Sequence, residues 1–474
     1  MSSAKDVKFS LKVTMNNQKT KVLFAEADSD FTDVLISFLT MPLGRIVRVL
    51  KKHFGEEEAV RIGSLTTLYN GLANLDSVHF WTKGCKEALL DPMSSFRNEC
   101  LKLKLDVSDT QPIDQFTCYH SCCIPTSTKV LRTSNYFDSA TCICGKTMSR
   151  VAGWKDTQAA NNDGVFTRKK ASFIISDDLK IFPNTTGFIQ TLSTLEITDK
   201  DVGEPINVTF GFNEFMDLLK GSLLSPTPLS DIILNKRKVE LGTTTPKTEP
   251  GVLLHAMEKE ATSANSNKMI LKVMVQKSTN KLLFAQSEED FIDFLCILLA
   301  IPIGGVECLL GGNACLKNID NLYKSVANIN GDKYLVTQDM KNRLVKPKLL
   351  HGYISGNPIL PLSEESCPRY QNIIAQKAVW FSSVKFVKGQ GKYIGGPTLY
   401  KITDDLTVTH FCMGSILSHL KDRKIPSSDV KELELEIGLQ EVLSILKASL
   451  ASTAALTNGL RINAVLMKQP KREQ

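Results

Sequence analysis

The chain has 474 residues, 42% hydrophobic and 23% charged, and its 57 basic and 50 acidic side chains leave a net charge of +7. The length suits about two to four domains. No run approaches the roughly 18 apolar residues of a membrane span, and Met1-Ser-Ser-Ala-Lys-Asp6 lacks the apolar core of a signal peptide, so the expected location is the cytoplasm, with the nucleus as the alternative, and not the secretory route.

A charge this mild permits nucleic-acid contact without selecting it. Twelve cysteines in such a location read as thiols or metal ligands and not as disulfides.

Val7, Phe9, Leu11, Val13 and Met15 alternate with polar neighbours, which places one side of a strand on a core. Asn16 to Lys19 supply turn residues, and Val22-Leu-Phe-Ala25 returns as the second strand of a hairpin. The period then changes. Phe31, Val34, Leu35, Phe38 and Leu39 form a helical stripe, capped at Asp28 or Ser29. Met41-Pro42-Leu43-Gly44 ends it, with proline as the block and glycine as the exit turn. A second helix is expected from about Ile46.

This stretch is written twice. Residues 11–50 reappear without a gap at 271–310, with 15 of 40 paired positions identical. Asp30-Phe31/Asp290-Phe291, Asp33/Asp293, Pro42/Pro302 and Gly44/Gly304 are among them, which marks a duplicated unit. With gaps the repeat continues through Leu68-Tyr69/Leu322-Tyr323, Pro92/Pro347 and Asp177-Asp-Leu179/Asp404-Asp-Leu406. Each copy then closes on an alternating strand and an amphipathic helix, 206–210 with 212–223, and 433–437 with 439–450.

The predicted organisation is a first domain at 7–240, a Pro/Gly/Thr/Ser-rich linker at 241–268 and a second domain at 269–466. The fold class is α+β: two homologous tandem domains built from β-hairpin–helix and strand–helix units.

The stretch with chemistry in it is a cysteine cluster at 116–148 in the first copy: Cys118, Cys122 and Cys123, then Cys142 and Cys144. Zinc takes four soft ligands in a tetrahedron, commonly as two close pairs on turns. Cys118, Cys122, Cys142 and Cys144 make such a set, with Cys123 or His120 as substitutes, and Gly145 suits a knuckle turn. Cys-x-Cys is one residue shorter than a standard knuckle. The alternatives are reduced cysteines without a metal and, with less support, a redox or catalytic role. The second copy keeps only Cys367 of this cluster, so structural zinc is the one cofactor expected, in a zinc-ribbon-like insertion of the first copy.

Other features read as structure. Adjacent carboxylates diverge, so Asp177-Asp178 and Asp404-Asp405 suit turns or caps better than a catalytic dyad. The glycine-rich Gly389–Gly396 lacks the Gly-Lys-Ser/Thr ending of a phosphate loop, and Asn161–Phe166 at the matching place reads as a turn. His351, His410 and His419 stand singly. Cys85, Cys100, Cys296, Cys308, Cys315 and Cys412 read mostly as small packing residues.

The duplicated core, together with Cys142-Ile-Cys-Gly145, the Asp-Asp-Leu signature and the terminal Gly-x-x-Glu helices at Gly211 and Gly438, resembles the plant family known as domain of unknown function 674. The resemblance covers nearly the whole chain. It implies a plant intracellular protein with tandem copies, and it carries no activity, substrate or catalytic residue.

Three classes of function follow. A non-catalytic interaction or scaffold protein with protein partners leads, since no catalytic constellation repeats. A nucleic-acid-associated zinc-ribbon protein is second, testable at Lys129, Arg132, Tyr136, Lys146 and Arg150. An enzyme with an unrecognised site is third, and would be favoured by a deep pocket lined by polar groups of both copies.

Overall fold

The computed structural model describes residues 7–55, 60–111, 116–118, 130–134, 137, 142, 144–151, 164–185, 187–195, 197, 202–234, 268–350, 352–354, 358–365, 369–374, 377–383, 392–395 and 398–462. Apart from Lys268, the expected linker at 241–268 lies outside these residues, as do its flanks, 235–240.

Along the first copy the strands are β1 (Phe9–Asn16), β2 (Val22–Asp28), β3 (Phe116–Thr117), β4 (Val130–Thr133), β5 (Arg150–Val151), β6 (Ser172–Ser176), β7 (Ile181–Pro183) and β8 (Val202–Phe210). The second copy supplies β9 (Met269–Gln276), β10 (Leu282–Ser287), β11 (Arg369–Ile374), β12 (Lys377–Ser383), β13 (Tyr400–Ile402), β14 (Val408–His410) and β15 (Val430–Ile437).

Two five-stranded sheets result, in the orders β7-β6-β2-β1-β8 and β14-β13-β10-β9-β15. The same order appears twice because the same pattern is written twice. In each sheet the opening hairpin is flanked by the late strand on one side, with Val13 opposite both Ala25 and Ile206, and Val273 opposite both Ala285 and Leu433. Two smaller sheets lie apart. The pair β3-β5 belongs to the first copy, and the order β11-β12-β4 sets β4 of the first copy parallel to β12 of the second.

The expected hairpin forms. Its turn is fixed by Asn16, whose side-chain oxygen accepts from the Thr20 and Lys21 amides at 2.8 and 3.0 Å. Leu11 and Val13 face inward and are fully buried. They meet helix Ser29–Ser37, which Asp28 caps by accepting from the Phe31 amide at 2.8 Å. Phe9, Phe31, Phe210 and Phe215 pack edge to face or tilted, with ring centroids 4.8–6.2 Å apart. One apolar cluster runs on from here through both copies.

Two expectations change at the Pro-x-Gly element. The second helix begins at Leu43, directly behind Pro42, and not at Ile46. Proline's fixed φ and missing N–H suit the entry to a helix as well as they block an exit. Gly44 is therefore a helical residue and not an exit turn. Its smallness serves contact: a Cβ there would lie 3.0 Å from the Leu89 carbonyl oxygen and 3.1 Å from Leu299 Cβ. Gly304 repeats this against Leu39, whose carbonyl oxygen would be 2.9 Å away.

Reciprocal contacts then tie the copies together. Pro42 bridges Pro302; the Leu43 amide donates to Ile301 O at 3.0 Å, and the Ile303 amide donates to Met41 O at 2.9 Å. Matching positions exchange matching bonds about a local twofold, as in an isologous dimer. Farther out, Ser64 donates from its amide to Ser449 O at 2.8 Å and from its hydroxyl to Ser452 O at 2.6 Å. Its counterpart Asn318 donates its side-chain amide to Ser222 O and Ser225 O at 3.2 and 2.6 Å. Each copy's closing helix thus terminates on the other copy.

Candidate metal centre

Residues 116–118 and 142–151 bring a hairpin and a turn together. Phe116 pairs with Val151 and Thr117 with Arg150, which sets Cys118 at the end of β3 beside the turn Cys142–Lys146. That turn is closed by two backbone bonds, Gly145 N–H to Cys142 O and Cys142 N–H to Lys146 O, both 2.9 Å. Gly145 sits at φ +81°, a conformation that costs a residue with a Cβ and costs glycine nothing. Fully buried Met148 packs on buried Cys142, with Phe116 and Cys118 at the margin.

The sulfurs of Cys118, Cys142 and Cys144 all lie within 4.8 Å of one another, and Cys118 Sγ is 3.5 Å from Cys144 Sγ. Tetrahedral zinc with bonds of about 2.3 Å spaces its sulfurs by about 3.8 Å. These three thiols fit such a set, and they could hold a metal. Cys144 is exposed and Cys118 half-buried. Cys122, Cys123 and His120 lie outside the described residues. Of the residues singled out for nucleic-acid contact, Lys146 and Arg150 are exposed beside the thiols, while Lys129, Tyr136 and the Arg132 side chain lie outside the description. Phe137 is half exposed, at 49%, and meets Phe116 edge to face at 5.6 Å.

The acidic pairs stand at turns, and the first aspartate of each anchors a segment 53 residues away. Asp177 accepts from the Ser230 amide and hydroxyl at 2.8 and 2.7 Å, and Asp404 accepts from the Thr457 amide and hydroxyl at 2.8 Å each. Leu179 and Leu406 follow at φ 59° and 62°. Of the expected packing cysteines, Cys85, Cys100 and Cys296 are buried, whereas Cys315 and Cys412 are exposed and Cys308 is half-buried. His410 is not solitary: its ring stacks on His79 at 5.2 Å. His351, Cys367 and half of Gly389–Gly396 lie outside the description.

The sequence reading overlooked two buried carboxylates. Asp33 accepts from the Val165, Phe166 and Thr167 amides at 3.0, 3.2 and 2.7 Å and from the Thr167 hydroxyl at 2.8 Å. Asp293 accepts from the Tyr393 and Ile394 amides at 2.6 and 3.5 Å. Burial pushes their carboxyls up to about 6 and about 7 against these hydrogen bonds.

The loops they hold cross to the opposite copy. Val336 N–H donates to Phe166 O at 2.9 Å, and Trp81 N–H donates to Tyr393 O at 3.0 Å. The signal was present, since an identical aspartate stands two residues into each apolar stripe.

Among the described residues no helix is long and apolar enough to cross a membrane. No curated protein and no solved structure matches the chain. A family model does match, over residues 5–390 and again over 382–472, and the chain accordingly belongs to the family described as Protein of unknown function (DUF674).

Proposed function

We propose that this is a non-catalytic interaction protein of the cytoplasm or nucleus, built from two homologous halves, 7–240 and 269–466, joined by 241–268, with one structural zinc in the first half. Cys118, Cys142 and Cys144 are three of the ligands. Cys122 is the fourth, with Cys123 or His120 able to replace it. One observation supports the metal: three thiols from two separate chain segments converge on one point beside a glycine turn.

A sulfur-only set favours a closed, structural site over a catalytic one, and zinc would add folding energy to a region with little apolar core of its own. The scaffold reading is supported by the reciprocal bonds that join the halves.

Elemental analysis of the full chain tests the site. About one zinc per chain is expected, lost in the double variant Cys142→Ser/Cys144→Ser; zinc-free native protein overturns it.

Exposed Lys146, Arg150 and Phe137 around the same thiols favour nucleic acid as a second reading. It predicts salt-dependent binding that Lys146→Glu/Arg150→Glu abolishes.

A further inference from the structure

The two crossing points between the halves are related by the repeat, yet one is filled and the other is open. At the filled one, the His79 ring stacks on His410 at 5.2 Å and meets the Tyr400 ring at 5.5 Å, and its Nδ1 is 3.4 Å from the Tyr400 hydroxyl. At the other, Tyr334 takes the place of His79 and Phe173 that of Tyr400, their rings still meeting edge to face at 6.5 Å and the Tyr334 hydroxyl bonded to that of Thr185, but Pro183 takes the place of His410. Proline cannot reach across as histidine does. A cleft of about 600 Å³ remains between β7 with the start of helix Phe188–Leu195 on one side and helix Lys317–Asn328 with Tyr334 on the other. This lies within the roughly 300–1,000 Å³ of small-molecule sites.

The lining itself is basic, although carboxylates stand behind both of its lysines. Among the described residues no carboxylate, histidine or cysteine lines it, and two lysines, Lys180 and Lys324, do. A third, Lys333, lies over the Tyr334 ring at 5.0 Å. The nearby Asp178 is already taken up by the Ser176 hydroxyl at 2.6 Å and by Lys317 and Lys180 at 3.4 and 3.8 Å. Lys324, whose charge also acts on buried Glu307, lines the cleft together with Asn328 and Gln190. At the matching point of the filled junction, Asn70 and Asp76 stand in place of Lys324 and Asn330.

We propose that this cleft binds a small phosphorylated sugar, free or as part of a nucleotide. Lys180 and Lys324 meet the phosphate. Side-chain amides, which both donate and accept, meet hydroxyls. Phe182 and Tyr334 offer apolar faces to the ring. Among the described residues the lining holds no acid–base pair, which suits binding, and the site is independent of the thiol site.

Titration calorimetry of the full chain with ribose 5-phosphate, adenosine monophosphate, ribose and inorganic phosphate tests the proposal. Either or both phosphorylated sugars should bind at least about tenfold more tightly than ribose or phosphate alone, and the pair separates a free sugar phosphate from a nucleotide. Lys324→Glu and Lys180→Glu should each weaken that binding about tenfold or more. Lys421→Glu, on an exposed helix elsewhere, should leave it unchanged. Circular dichroism separates lost binding from lost fold, and the two lysine variants stand in for one another if one misfolds. No saturable binding at millimolar concentration, equal binding of inorganic phosphate, or binding indifferent to both lysine reversals would each overturn it.

Discussion

Asp33 and Asp293 hold equivalent loops, the first through three amides and a hydroxyl and the second through two amides, and the loops they hold lead to opposite outcomes. Downstream of Asp293 the crossing is packed with His79, Tyr400 and His410. Downstream of Asp33 it opens into the cleft beside Tyr334 and Pro183. The backbone bonds are retained in both, and the side chains that would line or fill a site have diverged. Positions held by both copies therefore maintain the fold, and positions that differ are where a ligand, metal or partner is to be sought.

The largest effect should come from truncating the anchors. Asp33→Ala strands three amides, two of them buried, and a buried hydroxyl, and should cost about 3–5 kcal/mol in denaturant unfolding. Asp293→Ala strands two amides and should cost about 2–3 kcal/mol. Equal losses would break the distinction between the two loops.

Titration sharpens it. The Asp293 carboxyl, raised by burial to about 7, binds its proton more tightly folded than unfolded. Its contribution is thus fully present below about pH 4 and is lost as the pH rises through about 7. Asp293→Asn keeps an acceptor and removes the charge. Stability measured from pH 4 to 7 should fall for the native chain, relative to this variant, by on the order of 2 kcal/mol. Parallel curves would show that the carboxyl is not perturbed.

At the centre of the pairing, Gly304→Ala sets a methyl against Leu39 O. Helix propensity favours alanine by about 1 kcal/mol, but the clash should leave a net loss of about 1–2 kcal/mol. A stabilised variant would mean that the two copies do not approach so closely.

The smallest effect belongs to the filled junction. Burial, and then His410, lower the His79 pKa, partly opposed by Asp76. The folded state therefore resists protonation, and acidification through about pH 6.5 should loosen this crossing and not the one at Tyr334. Amide exchange at Phe80 and Trp81, compared with Leu335 and Val336, reads the difference.

Much of the fold was legible because strand and helix periods are local. Val13 and Phe31 announce their faces, and Asp28 and Glu214 announce helix starts. The helix start at Leu43 was missed because proline reads equally as stop or entry, and only the packing of Gly44 on Leu299 decides. The short strands β6, β7, β13 and β14 carry three to five residues each, too few to show a period.

The thiol site was half legible. Cys142, Cys144 and Gly145 form a local motif, whereas the approach of Cys118 depends on pairing across 33 residues. The cleft had no sequence signature, since it arises from Pro183 and Tyr334 standing where the other copy has histidines.

The most direct test of the idea that function lies where the copies differ is X-ray absorption at the zinc edge on the purified full chain. The account predicts a four-coordinate, sulfur-rich zinc with bonds of about 2.3 Å, absent from Cys142→Ser/Cys144→Ser. A native chain without a zinc edge, or with a zinc shell free of sulfur, would contradict it.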